Sequence, residues 1–154
     1  MANILVEWLN KMMTTMKNSN PTDSNKKDSH EQQEKVYGLT LEEWGLRWIT
    51  VGTLDDLRYH TTHLYNYIGL YRVKLNDEIL YIGHSTDYYK GGLRQKLLEY
   101  VASEQALYTM SENEQVGALA LTFDVLIIGN GPRSVEITKS LEPLMIGKYS
   151  PKWN

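Results

Sequence analysis

The first sixteen residues carry apolar side chains at helical spacing. Positions three and four apart share one face of an α-helix, and the apolar members of this face are Ile4, Leu5, Trp8, Leu9, Met12, Met13 and Met16. The pattern predicts a short amphipathic helix over residues 1–16. Such a face packs on the chain's own core, self-associates, or binds a partner protein or a membrane surface. The helix lacks a basic face, which makes the membrane the weaker alternative.

Residues 17–35 show the opposite pattern. Apart from Pro21 they include no apolar residue, so they bury too little surface to offset the entropy lost on ordering. We therefore expect a flexible linker over residues 17–35 and a folded domain over residues 36–154.

The first half of this domain predicts a helix and then a hairpin. Thr40 and Glu43 match a capping box, which places a helix over residues 41–48. Residues 69–85 alternate in polarity on both sides of Asn76-Asp77, and both of these residues favour tight turns. The pattern predicts a β-hairpin centred on this turn.

The second half predicts a helix, a strand and a further helix. The helices cover residues 91–108 and 134–149, and the strand between them covers residues 118–129. Pro143 should kink the last helix or begin a second one. The element order predicts an α+β domain whose three-stranded, mainly antiparallel sheet is flanked by helices.

Charge and composition narrow the choice of partners. The chain has no cysteine and no signal peptide or membrane span, so we expect a cytoplasmic protein. Residues 1–36 are electrically balanced, and the net charge of −3 falls entirely on residues 37–154. Nonspecific nucleic-acid binders usually carry a basic surface. Binding of nucleic acid by this chain would therefore depend on a local site or on a partner protein.

The hairpin carries two short triplets that strand packing does not require. Gly69-Leu70-Tyr71 lies in its first strand and Tyr81-Ile82-Gly83 in its second, and Gly83 allows backbone or ligand to come close. Further along, Glu142 precedes an ending of the form Pro151-x-x-Asn154. In this order, the residues resemble the motif of the GIY-YIG nuclease superfamily, and the resemblance extends over residues 67–154.

The resemblance implies a metal-dependent endonuclease that hydrolyses phosphodiester bonds in DNA, one strand per active site. Glu142 would hold a single Mg²⁺ or Mn²⁺ ion, which relieves charge on the phosphate. Tyr71 would assist or perform deprotonation of the attacking water, Tyr81 would line the phosphate, and Asn154 would brace the site by hydrogen bonding. Tyrosine is a poor base, so this role for Tyr71 requires a nearby cation or a hydrogen-bond partner that favours the phenolate.

Two residues in the helix after the hairpin are candidates for the cationic side chain that would bind the phosphate. The family motif places an arginine here, with a histidine or tyrosine four residues later. If leucine positions set the register, Lys96 takes the arginine place and Tyr100 follows it on the same face. If arginine identity sets the register, Arg94 takes that place and Leu98 follows. We prefer Lys96 with Tyr100, although lysine lacks the two-pronged grip of a guanidinium group.

His84 directly follows the second triplet and has two interpretations. It is either a base or phosphate donor, or a strand-end histidine bonded to backbone. At the level of the whole domain, the main alternative to an endonuclease is a module that keeps the fold, has weakened catalysis and binds nucleic acid or protein. A nuclease that cuts RNA or branched DNA is the intermediate possibility.

Overall fold

The structure is a computed structural model that describes residues 35–103 and 121–154. The amphipathic helix predicted over residues 1–16 and nearly all of the predicted linker lie outside these ranges. So do the last residues of the helix predicted over 91–108 and the first residues of the strand predicted over 118–129. Lys35, the last residue of the predicted linker, is described and pairs with Thr40.

The described residues form strands and helices in mixed order. The strands are β1 Lys35–Val36, β2 Leu39–Thr40, β3 Ile49–Thr53, β4 Ile68–Leu75, β5 Glu78–Ser85 and β6 Leu121–Gly129. The helices are α1 Leu41–Gly45, α2 Leu54–Tyr59, α3 Gly92–Ala102 and α4 Pro132–Tyr149, with short 3₁₀ turns at Thr62–Leu64 and Tyr88–Lys90. The α+β class predicted from the sequence is confirmed.

The main sheet has four strands in the order β3-β6-β4-β5, and every neighbouring pair is antiparallel. The sequence predicts three of these strands and misses β3. Strand β3 is short, and its pairing with β6 shifts register between Thr50 and Gly52, where Gly52 has a φ of +129°. This irregularity removes the regular alternation that marks a strand in a sequence.

The predicted β-hairpin is confirmed as the pair β4–β5. Leu75 pairs with Glu78, so the loop contains only Asn76 and Asp77. Both loop residues have positive φ, at 49° and 67°, as a type I′ turn requires. At its other end the hairpin pairs Gly69 with Ser85.

Helices cover both faces of the sheet. On one face α2 and α3 pack against β4 and β6, and the buried residues include Leu54, Leu57, Val73, Leu93, Leu97 and Phe123. On the other face α1 and α4 pack against the same sheet, and the buried residues include Trp44, Leu70, Ile82, Leu126, Leu141 and Met145. The central strands β4 and β6 therefore contribute side chains to both apolar layers.

Two predicted helices differ from their expected bounds. The Thr40–Glu43 capping box is present, but α1 ends at Gly45 and leaves the next residue, Leu46, 86% exposed. Helix α4 begins at Pro132, where the missing N–H has no helical partner to lose, and continues through Pro143 as one element. The second helix start considered at Pro143 is not observed. In the part of the chain that the structure describes, no helix combines the length and the apolar character needed to cross a membrane.

A charged cluster is buried on the α4 face of the sheet. The Asp124 carboxylate accepts hydrogen bonds from Arg72 Nε at 2.7 Å and Lys74 Nζ at 2.9 Å, and Asp124 is only 1% exposed. The Arg72 guanidinium also lies 4.4 Å from the centre of the Trp48 ring. Because Arg72 and Asp124 are direct cross-strand neighbours, the ion pair also joins β4 to β6 in one register.

Replacing Asp124 by alanine should destabilise the domain strongly. The change leaves two mostly buried cations without a counter-charge, and removal of one partner of a buried ion pair typically costs about 3–5 kcal/mol. Urea denaturation measures the loss. Asp55→Ala is the control, because Asp55 is exposed and its 3.9 Å contact with Arg58 is worth less than about 1 kcal/mol. Equal losses in the two variants would contradict the stabilising role of the buried cluster.

Candidate active site

The ring of Tyr71 occupies the space above Gly83. The two residues are register partners in the β4–β5 hairpin. A Cβ atom at position 83 would lie 2.5 Å from both Cζ and the hydroxyl oxygen of Tyr71, and 2.8 Å from Cε1 of Tyr81. Any side chain larger than hydrogen would displace these rings. Tyr71 of the first triplet therefore packs directly against Gly83 of the second triplet.

Three tyrosines meet at this point. The ring centroids of Tyr71 and Tyr81 are 6.0 Å apart, and those of Tyr71 and Tyr100 are 5.8 Å apart in an edge-to-face arrangement. Tyr100 reaches the cluster from the last turn of α3, and its hydroxyl is hydrogen-bonded to that of Tyr71 with 3.4 Å between the oxygens. The cluster joins two adjacent strands to the helix that follows them.

The surroundings of these tyrosines favour the neutral phenol. Burial, followed by the neighbouring Tyr100 and Tyr81, raises the pKa of Tyr71 well above its ordinary value of 10. Burial also raises the pKa of Tyr100, and burial together with the negative charge of Glu142 raises the pKa of Tyr81. At neutral pH the cluster is a set of hydrogen-bond donors. The phenolate considered for Tyr71 is disfavoured here, because its neighbours are other phenols and not a cation.

Glu142 pairs with His84. The contact joins Glu142 Oε2 on α4 to His84 Nδ1 near the end of β5, and both side chains are partly exposed. The carboxylate assigns the imidazole proton to Nδ1, which leaves Nε2 of a neutral His84 as a hydrogen-bond acceptor. The negative charge of Glu142 also contributes to the raised pKa of Tyr81.

Asn154 is fixed to the outer edge of β5. The Ile82 N–H donates to Asn154 Oδ1 at 2.8 Å, and Asn154 Nδ2 donates to the Ile82 carbonyl at 2.9 Å. The neighbouring Trp153 N–H donates to the Leu80 carbonyl at 2.8 Å. The edge of a sheet otherwise presents unpaired backbone groups, and the residues around Asn154 cover these. Asn154 thus holds the strand between Tyr81 and Gly83.

The two candidate cations lie on α3 with different contacts. Lys96 Nζ is 4.0 Å from Glu99, whereas Nε of Arg94 is buried and has no hydrogen-bond partner within residues 35–103 and 121–154. Tyr100 lies in the tyrosine cluster, as the register based on Lys96 requires. The competing register would place Leu98 beside Tyr71. Leu98 is not among the buried core residues that surround Tyr71.

Glu142 is the carboxylate that the motif assigns to a cation. Within the described ranges no group of three or more histidine, aspartate or glutamate side chains is arranged to hold a metal ion. Mg²⁺ does not need such a group, because it keeps most of its waters and is often bound by one carboxylate and substrate phosphates. Oε2 of Glu142 contacts His84 Nδ1, so a cation at Glu142 would lie next to this imidazole.

Comparisons with models of protein families, with curated proteins and with solved structures return no match. The chemistry assigned to the site therefore depends on its geometry and on the order of its motif residues. Sequence reasoning considered His84 and Glu142 separately and missed their contact. The two residues are far apart in the chain, and only the packing of α4 against β5 brings them together.

Gly83→Ala should displace the ring of Tyr71 and destabilise the domain. Overpacking of a close contact typically costs about 1–3 kcal/mol, and urea denaturation with near-ultraviolet circular dichroism reports both effects. Gly147→Ala is the matched control, because an added Cβ there meets no atom within 4 Å. Gly147 lies inside a helix, so the control should gain up to about 1 kcal/mol. A gain at both positions would contradict the close packing at Gly83.

At alkaline pH, the raised pKa of Tyr71 should lower the free energy of unfolding. Its pKa is raised in the folded state, so its contribution is complete below the unfolded value near 10 and is lost as pH rises above that value. Each such tyrosine lowers the free energy of unfolding by about 1.4 kcal/mol per pH unit in this window. Tyr71→Phe should therefore show a shallower decline than wild type between about pH 10 and 12. Parallel curves for the two proteins would rule out the raised pKa.

Proposed function

We propose that this domain is a GIY-YIG-type endonuclease that hydrolyses phosphodiester bonds in DNA with one Mg²⁺ or Mn²⁺ ion. One observation carries the proposal. Motif residues from distant parts of the chain surround a single strand, β5. They are Tyr71, Tyr81, Gly83, His84, Tyr100, Glu142 and Asn154. Ordinary strand packing does not require tyrosine, carboxylate and amide groups from these segments to meet.

The acid–base work is assigned to His84. Its Nε2 accepts a proton from the attacking water, and the carboxylate of Glu142 stabilises the imidazolium that forms. Glu142 would also hold the cation, which would supply charge relief on the phosphate.

The tyrosines act as neutral donors. Tyr81 is the more accessible member of the cluster, and its raised pKa keeps the proton on the hydroxyl for donation to a phosphate oxygen. Tyr71 and Tyr100 are buried beneath it and fix its position. Lys96, or Arg94 one half-turn earlier, supplies the positive charge that receives the phosphate.

A second function is favoured by a different observation. Lys96 lies beside Glu99, and the surroundings of Tyr71 oppose ionisation. Both features suit a domain that keeps the fold and binds nucleic acid or protein with weakened catalysis. The two functions differ in one respect that can be measured, which is turnover in the presence of a divalent cation.

Glu142→Gln should abolish nicking of supercoiled plasmid in Mg²⁺ or Mn²⁺. The variant loses the charge that holds the cation and stabilises His84, and the expected fall in rate is at least about a hundredfold. Conversion of supercoiled to open-circular DNA on an agarose gel gives the rate. Glu136→Gln is the matched control, because Glu136 is an exposed residue of the same helix. The control should cut at the wild-type rate.

The same assay separates the two candidate functions and the two candidate cations. Lys96→Ala and Arg94→Ala are compared, and the slower variant identifies the group that receives the phosphate. Wild-type protein that cuts neither plasmid nor single-stranded DNA with either metal would overturn the endonuclease and leave the binding module. Equal activity of Glu142→Gln and Glu136→Gln would overturn the role of Glu142.

A further inference from the structure

Four tyrosines lie on two loops at the open end of the β4–β5 hairpin. Tyr65 and Tyr67 precede β4, while Tyr88 and Tyr89 follow β5. We refer to these four residues as the tyrosine surface. Because Gly69 and Ser85 are register partners, the two loops leave the sheet side by side.

Backbone contacts hold the two loops together. The Asn66 N–H donates to the Gly91 carbonyl at 3.3 Å, and the Leu93 N–H donates to the Tyr67 carbonyl at 2.8 Å. The backbone of Tyr67 also approaches Gly92 so closely that a Cβ there would not fit. Hydrogen bonds thus hold the two loops next to each other, and their tyrosines lie at the same end of the domain.

Three of these tyrosines are exposed although they are large and partly apolar, and Tyr88 is half-buried. Tyr89 is 83% exposed, Tyr65 54% and Tyr67 39%. The rings of Tyr88 and Tyr89 are 4.3 Å apart at an interplanar angle of 37°, and hydrogen bonding to Tyr89 raises the pKa of Tyr88. Several aromatic rings left in solvent at one place indicate an interaction surface, because packing in the core does not explain them.

The charge of these segments indicates the class of ligand. The net charge of the chain is −3, yet residues 59–70 and 88–98 contain no acidic residue. The second segment carries Lys90, Arg94 and Lys96, of which Lys90 lies 3.8 Å from Asp87 and Lys96 lies 4.0 Å from Glu99. With these two acids counted, the segment keeps a small positive charge. An exposed aromatic surface with this charge complements a chain that combines anionic phosphates with flat bases.

We propose that the tyrosine surface binds an unpaired nucleic-acid strand by stacking its bases, and that it guides this strand to the site at Glu142. The inference rests on the proposed function for the identity of its ligand. Ser85, the last residue of β5, is four positions after Tyr81, which corresponds to about 13 Å along the strand. The tyrosine surface begins just beyond this end of β5, close enough to the site for one nucleic-acid chain to contact both.

Stacking selects unpaired over paired strands. In a duplex both faces of each base are already covered, whereas an unpaired base offers its face to an aromatic ring. The preferred substrate class is then DNA with a single-stranded segment, and fully paired DNA binds more weakly.

Binding of fluorescein-labelled oligo(dT), measured by fluorescence anisotropy in EDTA to prevent cleavage, tests the surface. Tyr89→Ala should weaken binding about five- to hundredfold, which is the usual cost of losing one stacked base. Tyr89→Phe keeps the ring and should bind as wild type does. Tyr37→Ala is the control, because Tyr37 is an exposed tyrosine on the β1–β2 turn, and it should also leave binding unchanged. A duplex of oligo(dT) with oligo(dA) should bind more weakly than oligo(dT) to the wild-type protein.

Three results would overturn the inference: no binding of oligo(dT), equal binding by wild type and Tyr89→Ala, or stronger binding of the duplex. Plasmid nicking measured on the same samples keeps this test separate from that of the proposed function. If the wild-type protein nicks plasmid but Tyr89→Ala does not change oligo(dT) binding, the tyrosine surface is ruled out and the endonuclease proposal stands. If binding depends on Tyr89 but no nicking occurs, the tyrosine surface stands and the endonuclease proposal is ruled out.

Discussion

The register between β4 and β5 is the constraint on which the rest of the site depends. The two-residue turn at Asn76 and Asp77 sets the pairing at one end, and a bulge beside Val73 shifts it so that Tyr71 faces Gly83. A slip of one residue would turn the side chains of β5 to the opposite face and place a bulky neighbour against the Tyr71 ring. Glycine at position 83 is thus a requirement of this register, because the ring fills the space where a side chain would stand.

This packing has an electrostatic consequence. A tyrosine that is pressed against a glycine and covered by α3 loses its contact with water, and burial of this kind penalises the phenolate. The same cluster lies beside Glu142, whose negative charge further disfavours ionisation of Tyr81. The site therefore combines protonated phenols with one carboxylate and the imidazole of His84. The proposed mechanism accordingly gives proton transfer from water to that imidazole and not to a tyrosine.

Local chemistry decided which parts of the structure could be predicted. The capping box at Thr40 and the turn at Asn76 and Asp77 were predicted because each depends on residues within four positions of one another. Strand β3 was missed because its regularity is supplied by β6, which lies far along the chain and across a register shift. The contact between His84 and Glu142 was missed for the same reason, since it depends on how α4 docks against the sheet. The motif predicted which residues belong to the site, but it did not predict the contacts between them.

The distribution of cations bears on the proposed binding of nucleic acid by an acidic protein. The hairpin itself contains Arg72 and Lys74, but both point to the α4 face and are neutralised there by Asp124. These charges stabilise the sheet and contribute little to an external field. Near the start of α3, Lys90 and Lys96 lie beside Asp87 and Glu99, and these acids reduce the charge that the two lysines present. For the proposed binding of an unpaired strand, few phosphate contacts mean that counterion release contributes little to the affinity and that aromatic stacking must supply most of it. A preference for unpaired over paired strands then follows from the scarcity of positive charge.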